Sequence, residues 1–259
     1  MTVTAACPHG RSGRGAFFDV DETLLSVKSM FDFLEHRAAE LRHPRSAVEE
    51  HLAGLRALAA AGTPREEVNR AHYRHHRGEH YDALVRSGLR WFESRRHRPG
   101  FWLPAPVREL RRHLDEGARV VLLSGSFFAC LDPVAAALGA HEVHGTRPLT
   151  RDGVLTGEVE RPMIGRAKAD AARASAAAHD LCLECSHAYG DHTSDLPLLS
   201  AVGRPHVVGA DPDMAAHAAE HGWPVLDPLA PAPGDPHHAD TCRCGCALAD
   251  WSTRTEAAL

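Results

Sequence analysis

Two hydrophobic rhythms divide the chain. Gly15-Ala16-Phe17-Phe18-Asp19-Val20 is a short apolar run ending in acid, and it reads as a buried strand. From Ser26 to about Trp102 the period becomes helical. Phe31, Phe33 and Leu34 open one amphipathic segment, and Leu52, Leu55 and Leu58 recur at helical spacing. Thr63-Pro64-Arg65-Glu66 predicts a helix start, with Thr63 as N-cap, Pro64 at the first helical position and Glu66 three residues after the cap. Histidine and arginine are dense from His72 to Arg98, so this stretch predicts short helices with a polar outer face. His72, His75, His76 and His80 are expected on that solvated face.

Strand and helix patterns then alternate. Pro106 to Glu116 predicts a helix stopped by Gly117. Arg119 to Leu123 predicts a buried strand closed by Ser124-Gly125-Ser126, and Phe127 to Leu138 a helix. Residues 141–161 predict short strands turning at Arg151-Asp152-Gly153. Helices are expected over Ile164 to Ala178, Leu196 to Val202 and Pro212 to His221. Strands are expected over His187 to Tyr189 and His206 to Val208. The alternation predicts an α/β fold, a doubly wound parallel sheet covered on both faces. Residues 15–25 and 104–229 form its expected core, and 26–103 an inserted helical cap. Residues 1–14 are expected to be a flexible N-terminus and 230–259 a flexible tail rich in Pro, Gly and His.

Composition narrows the possible roles. The chain has 259 residues, 44% of them hydrophobic, enough for one core and a smaller module. Its formal net charge is -5, and no basic stripe with interleaved aromatics suggests a nucleic-acid partner. No apolar run reaches the ~18 residues of a membrane span. The first residues lack the apolar stretch of a secretory signal, so a cytoplasmic location is expected. No pattern sets an oligomeric state. Lysine occurs only at Lys28 and Lys168, which makes both positions worth reading.

Four segments carry chemistry, each just past an expected strand or at a helix start, where parallel sheets bind ligands. Asp19-Val20-Asp21-Glu22-Thr23 sets two carboxylates two residues apart, one able to attack while the other handles protons. Ser124-Gly125-Ser126 joins a hydroxyl to backbone amides at a helix start, which suits an anion. Lys168 is a point charge one turn into a helix. Gly190-Asp191-His192-Thr193-Ser194-Asp195 adds two more carboxylates, hard oxygen ligands suited to Mg²⁺.

Taken in order, these segments resemble the haloacid dehalogenase superfamily of phosphotransferases. The D-x-D-x-T motif is matched by Asp19, Asp21 and Thr23, the strand ending in Ser or Thr by Ser124, the basic residue by Lys168, and G-D-x-x-x-D by Gly190, Asp191 and Asp195. The phosphoserine-phosphatase-like branch, with a helical cap between the first two motifs, is the most similar. The resemblance implies a phosphatase acting on a small phosphorylated substrate. Asp19 would attack phosphorus and carry an aspartyl-phosphate. Asp21 would protonate the leaving alkoxide and then activate water. Thr23, Ser124 and Gly125 would hold the loop and the phosphoryl oxygens, and Lys168 would neutralise charge. Asp19, the Asp21 backbone carbonyl and Asp191 would hold Mg²⁺, with Asp195 in support. Transfer to another hydroxyl acceptor, or a non-catalytic module binding phosphorylated ligands, would use many of the same residues.

Two positions depart from the branch. Lys28 stands where an acid would meet the amine of phosphoserine, which argues against that substrate. Lys28 could instead meet a carboxylate or a second phosphate, or be solvated. His192 stands where glycine is common. Separately, Cys242, Cys244 and Cys246, with His237 and His238, have the ligand types for Zn²⁺, although their spacing is not that of a zinc finger. Cys182 and Cys185 precede a strand and are expected to help fill the core.

Overall fold

The computed structural model describes residues 13–231. The expected N-terminal and C-terminal flexible segments, apart from residues 13–14 and 230–231, and the Cys242/Cys244/Cys246 group lie outside the described residues. Strand β1 (Gly15–Phe18) is buried at every position. Five helices follow it: α1 (Ser29–Glu40), α2 (Arg45–Ala60), α3 (Arg65–Tyr73), α4 (Tyr81–Arg95) and α5 (Pro104–Asp115). The chain then runs through β2 (Arg119–Ser124), α6 (Phe128–Leu138), β3 (Glu142–Gly145), the hairpin of β4 (Pro148–Arg151) and β5 (Val154–Val159), and α7 (Arg166–Ala178). It ends with β6 (His187–Gly190), α8 (Leu196–Leu199), β7 (Arg204–Val208), α9 (Pro212–His221) and β8 (Val225–Leu226).

Among the described residues, six strands form one sheet in the order β3-β2-β1-β6-β7-β8, and every pairing between them is parallel. β1 lies between β2 and β6, so both of its edges are bonded. The side-chain period of two sends Phe17 to one face with Val121, Leu123, Ala188 and Val207. Phe18 goes to the other face with Val120, Leu122, Tyr189 and Val208. Burial on both faces explains why these strands read as continuous apolar runs rather than alternating ones. Phe18 stacks on Tyr189 at 4.3 Å between ring centroids, and burial of each such ring stabilises by about 1.5–3 kcal/mol.

The Phe18 cluster continues past the sheet into the inserted helices. Phe33 and Tyr73 meet Phe127 at 5.5 and 5.4 Å, and Leu84 and Trp91 are fully buried in the same cluster. Helix α4 packs closely on α6 at one point. A Cβ at Gly88 would run into the Ala129 carbonyl. Pro133, four residues on in α6, has no N–H to offer that carbonyl.

Several expectations need correction. Pro64, not Thr63, is the residue before α3, and its extended backbone places Thr63 outside the capping position. Helix α5 begins two residues early, at Pro104, and α8 covers only four residues. Cys182 is buried in the core and Cys185 is half-buried.

His75 and His80 are exposed as expected, but the other two histidines of that group depart furthest from expectation. His72 and His76 are not on a solvated face but are 1% and 0% exposed. His51 Nε2 lies 3.3 Å from His72 Nδ1, and His76 Nδ1 lies 2.9 Å from Glu79 Oε1, which also accepts from Arg37 through its other oxygen. The ring nitrogens His72 Nε2 and His76 Nε2 are buried without a hydrogen-bond partner. Helical spacing puts these rings on one face, and that face turns inward against Phe31, Phe33 and Phe127.

Burial, then the neighbouring rings of His76 and His51, hold the His72 pKa well below 6.5. His51 is lowered to about 4, and His75 is also lowered, again first by burial. Below pH 6.5 the unfolded chain therefore binds protons that the folded chain refuses, and stability falls as pH drops. The unfolding free energy from urea melts should decrease between pH 7.5 and pH 5, by up to about 2 kcal/mol for a fully buried ring such as His72. His72→Gln should have a shallower pH slope than wild type; an identical slope would remove His72 as a contributor.

Candidate active site

The residues singled out in the sequence converge at the carboxyl ends of β1, β2 and β6, where connections leave the sheet in opposite directions. The Asp19 N–H donates to the Tyr189 carbonyl at 2.9 Å, which ties the end of β1 to β6. The loop then turns back. The N–H groups of Leu24 and Leu25 both donate to the Val20 carbonyl at 2.9 Å, and Glu22 takes a left-handed φ of 61°. That conformation is uncommon for a residue with a Cβ. The Thr23 hydroxyl is fully buried and donates to Asp191 Oδ1 at 2.8 Å, so the first and last motifs are bonded directly.

Lys168 enters from the first turn of α7. Its ammonium donates to Asp19 Oδ1 and to Asp195 Oδ1, both at 2.6 Å, and its side chain is 4% exposed. The second carboxylate oxygen of Asp195 accepts from the His192 N–H at 3.4 Å. Gly190 is needed here, because a Cβ on it would lie 2.7 Å from the Asp195 Cβ. His192 faces the cleft, and its Nδ1 accepts the Ser194 N–H at 3.0 Å, capping the 3₁₀ turn Thr193–Asp195.

Ligand oxygens of Asp19, Asp191 and Asp195 lie within 4.8 Å of one another. The Asp21 carboxylate is not in that group. One buried ammonium serves two carboxylates with a third beside them, so negative charge remains in excess. Burial first, then the charges of Asp19 and Asp195, raise the Asp191 pKa. Burial raises that of Asp195 as well, against the pull of Lys168. Burial also works against the Lys168 charge, but Asp19 and Asp195 outweigh it and hold the ammonium above the ordinary lysine range. A crowd of hard oxygen donors short of positive charge fits a divalent cation such as Mg²⁺. A second grouping, His217, Glu220 and His221 on α9, does not line this cleft.

Asp21 has a different environment. The residue is half-buried, but its Oδ1 is out of contact with solvent and has no hydrogen-bond partner. Burial pushes its pKa up to about 7, the Asp19 charge adds to this, and Ser29 partly offsets it. A carboxyl with that value holds or releases a proton near neutrality, as acid–base work requires.

Ser124, 1% exposed, accepts the Ser126 N–H at 3.0 Å, which leaves its hydroxyl hydrogen available to a ligand. The peptide between Gly125 and Ser126 is held at its other end too. Asn69 Nδ2, the Tyr73 hydroxyl and the Thr146 hydroxyl surround the Gly125 carbonyl at 2.9, 3.0 and 2.9 Å. The Ser29 hydroxyl donates to Ser126 at 2.8 Å. Asn69, Tyr73 and Thr146 carry no sequence signal, since Asn69 and Tyr73 are on α3 and Thr146 follows β3. Ser126 is visible in the Ser-Gly-Ser run. Lys28 stands at the cleft mouth, 3.2 Å from Glu22, with both side chains nearly half exposed.

Comparison with known proteins places this geometry. The family model of haloacid dehalogenase-like hydrolases matches residues 16–200. A probable phosphatase of Mycobacterium tuberculosis is 32% identical over 228 residues, spanning 87% of this chain and 78% of that protein. The "inhibition of morphological differentiation protein" of Streptomyces azureus is 40% identical over 119 residues, 46% of this chain and 43% of its own length. A structure of a Bordetella pertussis protein of unknown function superposes with a TM-score of 0.75 at 26% identity, covering 84% of this chain and 99% of that one. A phosphoserine phosphatase solved as a phospho-aspartyl intermediate analogue shares the fold, with a TM-score of 0.60 at 19% identity over 83% of this chain and 93% of that one. With a family match over most of its length and the four motifs gathered at one end of its sheet, the chain belongs to the haloacid dehalogenase-like hydrolases, as a phosphoserine-phosphatase-like phosphatase.

Proposed function

We propose that the protein hydrolyses a small phosphomonoester through an aspartyl-phosphate on Asp19, with Mg²⁺ bound. The observation that carries this reading is the Lys168 ammonium held at 2.6 Å from both Asp19 and Asp195 on the floor of a cleft that Ser124, Gly125 and Asp191 also line. A phosphate dianion and a carboxylate nucleophile repel each other, so attack needs positive charge already in place. Lys168 supplies part of it. Bound Mg²⁺, held by Asp19, Asp191 and the Asp21 backbone carbonyl with Asp195 in support, would supply the rest by neutralising phosphoryl oxygens.

Asp19 forms the bond to phosphorus as the ester oxygen leaves. Asp21, with a pKa of about 7, gives that oxygen its proton. Left as a carboxylate, Asp21 then takes a proton from the water that attacks the aspartyl-phosphate, which regenerates Asp19 and releases phosphate. The Ser124 hydroxyl and the pinned Gly125 loop position the phosphoryl oxygens throughout. Residues 26–103 serve as the cap over this floor, with its helices supplying most of the cleft wall.

Phosphate release from p-nitrophenyl phosphate by the full chain should require Mg²⁺ and stop with EDTA. Acid-quenched protein should carry an acyl-phosphate at Asp19. Equal rates with and without metal, and no label on Asp19, would overturn the reading. Mg²⁺ should also raise the melting temperature, by the equivalent of about 2.7 kcal/mol at a hundredfold excess over its Kd. Asp191→Asn should lose most of that rise; an unchanged rise would move the metal elsewhere.

A further inference from the structure

The cleft above Asp19 is larger than a phosphate group and its wall is mostly carbon. It has a volume of about 430 Å³. Beyond the polar floor, its sides are formed by Phe31 of α1, Leu52, Leu55 and Ala59 of α2, Val68 of α3 and, opposite them, Ile164. Few polar groups interrupt this wall: Asn69 is taken up by the Gly125 carbonyl, His72 sets Nδ1 against His51 and leaves Nε2 unpartnered, and Thr63 stands among the apolar residues. Clefts of this size with a mainly apolar lining and a few polar groups at one end accept ligands with an apolar body and a single polar anchor.

Charge at the rim points the same way. Lys28, Arg56 and Arg65 stand at the mouth. Among the described residues that line the cleft, Glu22 is the one carboxylate besides Asp19, Asp21 and Asp191, and it is held at 3.2 Å by Lys28. A substrate ammonium would therefore meet three cations and no free acid, and a phosphorylated amino acid would leave the apolar wall wet. Carbon packed on that wall would instead be removed from water, stabilising by about fourfold in affinity for each methylene buried.

We infer that the substrate is the phosphomonoester of an apolar alcohol without an amino group, its alkyl or aryl body lying along the Phe31, Leu52, Leu55 and Val68 wall. The inference rests on the proposed placement of the phosphate at Asp19.

Alkylphosphonates test it directly, because they bind without being hydrolysed. Titration calorimetry of the full chain in Mg²⁺ should give affinities that climb about fourfold per methylene from ethylphosphonate to hexylphosphonate. O-phospho-L-serine should bind no more tightly than ethylphosphonate. Val68→Asn, at a half-buried wall position, should flatten the chain-length slope. Equal affinity along the series, no detectable binding of hexylphosphonate, tighter binding of phosphoserine than of hexylphosphonate, or a slope untouched by Val68→Asn would each overturn the inference. Its failure is separable from failure of the phosphatase reading. Phosphate release that depends on Asp19 but is indifferent to chain length sinks only the apolar substrate. Phosphonate affinity that rises with chain length, without any Asp19-dependent release, supports the apolar occupant and sinks hydrolysis.

Discussion

Asp19→Asn is expected to lower phosphate release by roughly 10⁴- to 10⁶-fold, the loss seen when a covalent nucleophile is removed from an enzyme whose groups act together. The amide keeps the side chain's shape but cannot form the acyl-phosphate. Folding should be affected far less. Lys168 keeps Asp195 as a partner at 2.6 Å, and the substitution removes one negative charge from a group that has too many. In EDTA the melting temperature of the variant should therefore lie close to that of wild type. Rate and melting temperature measured together decide the matter. A variant that folds and still releases phosphate within tenfold of wild type would end the case for Asp19 as nucleophile.

Lys168→Met is expected to damage both activity and stability. The side chains of Lys168, Asp19 and Asp195 are 4%, 9% and 1% exposed, so water cannot replace the lost ammonium. Breaking a buried pair by removing one partner leaves uncompensated charge and destabilises by about 3–5 kcal/mol. The rate should fall by roughly 10²- to 10³-fold or more, the range for a lost charge-stabilising group. Lys168→Arg should rescue little, because a planar fork cannot take the place of a compact ammonium lying 2.6 Å from two carboxylates on different elements. Denaturant melts and phosphate release on the same preparations test this. A Lys168→Met protein as stable as wild type would mean that the three carboxylates are neutralised by another group.

The match between sequence and structure is closest where the chemistry depends on local order. Asp19, Thr23, Ser124, Lys168, Asp191 and Asp195 are legible because each sits within a few residues of a strand end or a helix start, and such positions follow from period and punctuation. The strands are legible for the same reason: β1 and β2 are buried on both faces and show as unbroken apolar runs. Helix α9 begins at Pro212 and ends at His221, matching the expected span, because Asp211 accepts the N–H groups of Asp213 and Met214 and Gly222 follows in the left-handed region. Legibility weakens where one segment's fate depends on another. His72 and His76 have a polar composition and helical spacing, and nothing within α3 or the turn after it says that Phe31 will cover the first and Phe33 and Phe127 the second.

The sequence by itself determined the order of the elements and the four motifs, because backbone geometry and side-chain period act over a few residues. The tertiary structure decided what those motifs could do. Asp19 from the end of β1 and Asp195 from the segment after β6 share one lysine from α7, with Asp191 beside them, because the parallel sheet brings these ends together. Asp21 is pushed up to a pKa of about 7 because packing desolvates its carboxyl, with Oδ1 buried. The Gly125 loop is rigid because Asn69, Tyr73 and Thr146, distant in the chain, close on its carbonyl. Charge sharing, desolvation and the shape of a cleft are properties of several segments at once, so they arise only when the chain has folded.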